Sequence, residues 1–144
     1  MKNLRSPLIL LILAWFGAGC APQVSAPLPP VVDGHTSRIA LDWPGVYAGV
    51  LPCADCAGID TRLRLNADLT YVLETRYLGK DERVFARRGF FVWAEDGNII
   101  HLRGLEDGPV SYRVGENRLF QLDRQGRGIE GPLAETYVLN RAED

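Results

Sequence analysis

Ile59-Asp60-Thr61-Arg62-Leu63-Arg64-Leu65, then Asn66-Ala67-Asp68, then Leu69-Thr70-Tyr71-Val72-Leu73-Glu74-Thr75-Arg76-Tyr77 decides how this chain folds. The first run places Ile59, Thr61, Leu63 and Leu65 on one face and Asp60, Arg62 and Arg64 on the other, the period-two pattern of a half-buried strand. Asn66-Ala67-Asp68 is turn chemistry, since short polar side chains bond their own backbone there. The second run alternates again, with Leu69, Tyr71, Leu73, Thr75 and Tyr77 on one face. Two alternating runs around such a turn predict a β-hairpin.

The same reading extends in both directions. Residues 46–51 form a first strand. After the hairpin, Leu78-Gly79-Lys80-Asp81 turns the chain into a strand through Val84 to Trp93, in which Gly89 marks a bulge or sharp bend. Glu95-Asp96-Gly97-Asn98 precedes a short strand at Ile99-Ile100-His101-Leu102. Strands at 111–114 and 118–122 flank Gly115-Glu116-Asn117, and a last strand covers 133–140. No window of a dozen residues keeps an apolar period near 3.6, so helix is limited to a single turn. Eight short strands in an up-and-down meander bury their edges by closing into an all-β antiparallel barrel, with a β-sandwich as the alternative.

The N-terminal region reads differently. Lys2 and Arg5, an apolar run over 7–16, then Gly17-Ala18-Gly19-Cys20 follow the order of an export signal that ends in a lipid-attachment cysteine. The run is about half the length that spans a bilayer. Gly17 stands where such signals usually carry Leu. The alternative is an ordinary signal leaving a free Cys20, a liability in an exported protein. Residues 1–19 are accordingly the signal peptide. Residues 20–41 are a lipidated N-terminus and tether, in which Pro22, Pro27, Pro29 and Pro30 favour extended backbone. Residues 42–144 are the globular domain. Ala21 after the cysteine, by resemblance to bacterial lipoproteins generally, points to the outer membrane.

Composition narrows the function. Of 144 residues, 16 are basic and 18 acidic, a formal net charge of −2. Removing residues 1–19 removes two basic residues and leaves −4. With no basic cluster on an acidic chain, nucleic acid is excluded as a partner. The five aspartates Asp60, Asp68, Asp81, Asp96 and Asp123 fall in turns or on solvent faces. Arg87 and Arg88 are adjacent in a strand, so they point to opposite faces and do not form a joint anion site. Ser111 has no evident base nearby, and no nucleophile–histidine–acid set is present. Trp43, Trp93 and Phe90-Phe91 are barrel core and rim. The reading is a non-enzymatic protein.

The remaining chemistry sits in Leu51-Pro52-Cys53-Ala54-Asp55-Cys56-Ala57-Gly58. Three states fit Cys53 and Cys56 in an exported protein. One is a local disulfide. Another is a pair of thiolates holding Cu(I), with His101 as a candidate third ligand; zinc wants four ligands, and His35 and His101 are the only histidines. The third is catalytic thiol–disulfide exchange, which the context opposes: a strand rather than a helix follows, and Asp55 disfavours a thiolate. An eight-stranded barrel also admits a small apolar ligand inside, so a carrier is an alternative function, as is a structural lipoprotein with an inert disulfide.

The segment Trp43-Pro44-Gly45-Val46-Tyr47-Ala48-Gly49, the stretch from Leu51 through Cys53 and Cys56 to Thr61, and Leu63 to Tyr71 together resemble the N-terminal domain of the NlpE family. These are copper-resistance and envelope-stress outer-membrane lipoproteins. Weaker echoes follow at 97–100, 117–123 and 137–139. The resemblance implies a lipocalin-like eight-stranded barrel facing the periplasm. It further implies an association with copper homeostasis, and with envelope-damage signalling through a sensor protein of a two-component system. Of the family's functional residues it carries over the cysteine pair, onto Cys53 and Cys56, and the lipidated cysteine, onto Cys20. Longer members add a C-terminal OB-like domain with a second cysteine pair; the resemblance here covers the N-terminal domain.

Overall fold

The structure, a computed structural model, describes residues 36–106 and 110–143. Cys20, His35, the signal segment and the proline-rich stretch lie outside these residues.

Eight antiparallel strands follow one another in chain order: β1 (Gly45–Leu51), β2 (Gly58–Leu65), β3 (Thr70–Leu78), β4 (Asp81–Trp93), β5 (Ile99–Leu102), β6 (Ser111–Gly115), β7 (Arg118–Gln121) and β8 (Val138–Ala142). Each pairs with the next, and β8 returns to β1 through Val46–Ala142, Tyr47–Arg141 and Ala48–Asn140. Closure makes this a barrel and not a sandwich. The alternation read in the sequence sets the register: Leu63 faces Leu73 and Leu65 faces Tyr71 across β2 and β3, all buried. With Tyr47, Phe91, Ile100 and Tyr112 they fill the interior.

The β2–β3 turn differs from expectation by one residue. Asp68 Oδ1 accepts from the Thr70 backbone N–H at 3.0 Å, and Leu69 N–H bonds Asn66 O at 3.0 Å. This geometry puts Leu69 at φ 67°, a conformation that costs a non-glycine residue roughly 1–2 kcal/mol. Leu69 packs against the core even so, and that burial offsets the strain.

Gly89 carries no bulge; the register shift lies between Thr75 and Tyr77 on β3. Gly89 is instead a place of close approach. It pairs with Tyr71, and a Cβ there would lie 2.7 Å from the Arg103 carbonyl oxygen and 2.9 Å from Tyr71 Cε1. Tyr71 O–H donates to that same carbonyl at 2.8 Å. Here β4 leaves β3, at Phe90, and takes up β5, at Phe91.

The last strand starts at Val138 rather than at Leu133. Residues Ala134–Thr136 form a 3-10 turn closed by Thr136 Oγ1 on Leu133 O at 2.5 Å, and Leu133 is exposed. Local side-chain bonding outcompetes the strand there.

The body of the barrel also begins earlier than Asp42. Helix α1 (Ser37–Ala40) is fastened by Ser37 Oγ to Val114 O at 2.8 Å, Ser37 N–H to Asn98 Oδ1 at 2.8 Å and Arg38 N–H to Gly97 O at 3.0 Å. Leu41 and Trp43 pack on the core, and Trp43 meets Phe91 and Trp93 edge to face at 5.7 and 5.5 Å. The packed domain therefore includes residues from Thr36 on, because these bonds cover the donors and acceptors of a segment too short to show a helical period. Strand directions put α1 at the end of the barrel carrying the β2–β3, β4–β5 and β6–β7 turns. The β1–β2 loop is at the opposite end. No helix among the described residues is long and apolar enough to cross a membrane.

Candidate functional site

The β1–β2 loop, residues 52–57, holds the two cysteines. It starts where Leu51 pairs with Ile59 and is tied to the neighbouring hairpin by Ala57 N–H on Leu78 O at 3.0 Å. Gly58 ends it at φ 153°, where a Cβ would lie 2.5 Å from Val50 Cγ1, so the chain can re-enter the sheet only with glycine. Cys53 and Cys56 form a disulfide, with sulfurs 2.03 Å and Cα atoms 5.4 Å apart. Both are half-buried, while Ala54 and Asp55 are exposed.

Asp55 links this loop to the β3–β4 turn. One carboxylate oxygen lies 3.6 Å from Cys53 Sγ, and the other forms an ion pair with Lys80 Nζ. A disulfide sulfur has no proton, so the first is a contact and not a hydrogen bond. The Lys80 hydrogen bond, and then its charge, hold the Asp55 carboxyl below the usual carboxylate range. Sequence reading treated Lys80 only as a turn residue. The signal was available in the meander itself, which brings the β1–β2 and β3–β4 connections to the same end of the barrel.

One ligand atom each from Cys53, Asp55 and Cys56 lie within 4.8 Å of one another, and among the described residues no other such group of metal-binding side chains converges. With the disulfide reduced, two thiolates and one carboxylate would occupy this place, a donor set that fits Cu(I) through its sulfurs.

His101 does not join them. It sits on β5 with Nδ1 2.8 Å from Ser111 Oγ on β6, a cross-strand pair. The expectation that Ser111 lacks a nearby base is thereby corrected. A hydrolytic dyad does not follow, because Ser111 is 5% exposed and no carboxylate is bonded to the imidazole among the described residues. Arg87 and Arg88 are both exposed, on opposite faces of β4. Asp68, Asp81, Asp96 and Asp123 each accept from the backbone N–H two residues on, as turn chemistry demands. The carrier alternative gains no support, since aromatic side chains occupy the interior.

Residues 47–132 match the family described as NlpE N-terminal domain. Lipoprotein NlpE of Escherichia coli (strain K12) is 37% identical over 100 residues, which are 69% of this chain and 42% of that protein. The chain thus spans less than half the length of this curated relative. A crystal structure from Shewanella oneidensis superposes with a TM-score of 0.68 at 53% identity, over 75% of this chain and 96% of the other. That of the Cpx pathway activator NlpE from Escherichia coli gives 0.51 at 39% identity, over 61% and 46%.

Proposed function

The chain belongs to the NlpE N-terminal domain family, and from that premise we propose a non-enzymatic lipoprotein of the outer membrane that faces the periplasm. Acyl chains on Cys20 anchor it. It takes part in copper homeostasis, envelope-stress sensing or both, with Cys53 and Cys56 as the redox- or Cu(I)-responsive element. Its partner is an envelope-stress sensor protein. The Escherichia coli relative is described as an activator of the Cpx pathway, which supports this reading for a chain sharing its N-terminal domain.

The observation that carries the proposal is the meeting of both sulfurs and Asp55 in one loop at a barrel end. Oxidised, the S–S bond closes the loop. A dithiol donor supplies two electrons and two protons, becomes a disulfide itself and leaves two thiols on the protein. Their deprotonation yields the sulfurs that would hold Cu(I). The loop then keeps its polar ties to the β3–β4 hairpin, Ala57 on Leu78 and Lys80 on Asp55.

Titration of the reduced protein with Cu(I) against a competing chelator tests the site. Cys53→Ser should lose more than the roughly 10–100-fold that an outer-shell change costs a metal site. Equal affinity in wild type and variant removes the pair from copper binding. An inert disulfide predicts something else: the Cys53→Ser/Cys56→Ser protein loses about 2 kcal/mol of stability, from a very short closed loop, and leaves copper tolerance and stress signalling untouched.

A further inference from the structure

β4 is longer than its second neighbour can cover. It pairs with β3 from Asp81 to Phe90 but with β5 only through Phe91, Val92 and Trp93. Across residues 84–88, no strand and no backbone hydrogen bond among the described residues takes the edge turned away from β3. Half of the backbone donors and acceptors of that stretch therefore face outward, the template on which another strand can add. Val84 and Phe90, at either end, are 61% and 58% exposed.

The charges along this edge are unevenly matched. Arg83 is paired with Asp81, and Arg76 on β3 with Asp60. Arg87 and Arg88 form no ion pair among the described residues. Directly opposite them on β3 are Leu73 and Val72, which offer no charge, and the one carboxylate beside Arg88, Glu74, shares its surface hollow with Arg62 and Arg64 as well. Because the two point to opposite faces, they cannot grip one anion between them. An added strand obeys the same alternation. Two consecutive acidic residues in it would present one carboxylate to each face, beside Arg87 and Arg88 respectively.

We propose that residues 84–88 of β4 dock an extended acidic segment of a partner protein by strand addition, with Arg87 and Arg88 receiving consecutive carboxylates. Backbone bonds supply affinity and the arginine pair selects the sequence. A second copy of this chain fits less well: antiparallel pairing about Ala86, the centre of the stretch, sets Arg87 against Phe85 and Arg88 against Val84, so neither arginine gains a carboxylate opposite it. The proposal depends neither on the cysteine pair nor on copper.

The test uses the protein and a labelled, end-blocked Val/Thr peptide with two adjacent central glutamates, followed by fluorescence anisotropy. Replacing both glutamates by lysine, or Arg87 and Arg88 by alanine, should weaken binding about tenfold or more. N-methylation of alternate peptide amides should abolish binding in one phase and spare it in the other, because only every second amide of an added strand faces the sheet. Unchanged thermal unfolding of the arginine variant shows that its fold is intact. The proposal is overturned by no binding at about 1 mM peptide, by indifference to the N-methylation phase, or by equal affinity for the lysine peptide. It is overturned equally by dimerisation through this edge, or by arginine-dependent binding to anionic vesicles without peptide binding.

Discussion

Lys80, on the turn after β3, forms an ion pair with Asp55, which stands between Cys53 and Cys56 in the neighbouring loop. A carboxylate beside a sulfur opposes formation of the thiolate, and the ammonium offsets it. In the reduced protein, Lys80→Ala should slow alkylation of Cys53 near neutral pH by roughly two- to fivefold, and Asp55→Ala should speed it by a similar factor. Both groups are exposed, so the two effects should shrink in high salt. Rates that do not respond to either substitution would show that the pair is electrically remote from the sulfurs.

Gly89→Ala should be among the most damaging single changes on the barrel. The new methyl would meet the Arg103 carbonyl and the Tyr71 ring at 2.7 and 2.9 Å, and the carbonyl is backbone that cannot swing aside. A loss of about 2–3 kcal/mol is expected in urea unfolding, typical of overpacking at a fixed neighbour. A change below about 0.5 kcal/mol, the range of ordinary surface substitutions, would show that the strands separate there freely.

Tyr112 is fully buried, its hydroxyl has no hydrogen-bond partner among the described residues, and burial pushes its pKa well above the usual phenol value. Among the described residues, the buried Oε1 of its cross-strand neighbour Gln121 and Trp93 Nε1, on the same interior row through Ile100, also have no partner. Removing an unpaired buried hydroxyl relieves a desolvation cost, so Tyr112→Phe should be neutral or stabilising by up to about 1 kcal/mol. A destabilised variant would instead reveal a water bridging this row.

Acid should weaken the fold through its turns. Hydrogen bonds from Arg83, first from its side chain and then from its backbone N–H, lower the Asp81 carboxyl from 3.8 to about 2. Thr70 lowers Asp68, chiefly through its hydroxyl, and the backbone N–H of Arg127 lowers Asp123. A depressed folded pKa contributes stability that is complete above the unfolded value of 3.8 and is lost as pH falls through about 2. Unfolding midpoints should therefore be flat above pH ~5 and drop between pH ~4 and ~2. Asp81→Asn should flatten part of that drop. An NMR titration of Asp81 near its unfolded value would contradict the assignment.

How legible each part was depended on the range of the interaction that fixes it. Leu63, Leu65, Tyr71 and Leu73 betray their strands because alternation is a local property of the chain. Closure followed from the count of such strands, through the cost of leaving edges open. Leu69 was misread as a strand residue because its apolar character serves core contact while turn geometry sets its backbone. Helix α1 was hidden because its bonds run to Asn98 and Val114, far along the chain. The cysteine loop announced itself, whereas its contact with Lys80 required knowing which connections share an end of the barrel. For His101, residue type alone does not reveal that Ser111 occupies its imidazole.

The chain joins the barrel through α1 at one pole, and the sulfur pair lies at the other. At ~3.3 Å per residue, the eight residues of β2, tilted as in any such barrel, separate the poles by about 20 Å. Helix α1 and the two sulfurs are thus set at opposite ends of one body, the length of a strand apart. At that separation a change beside α1 and a change beside the cysteines share no neighbour, so their effects on stability should simply add.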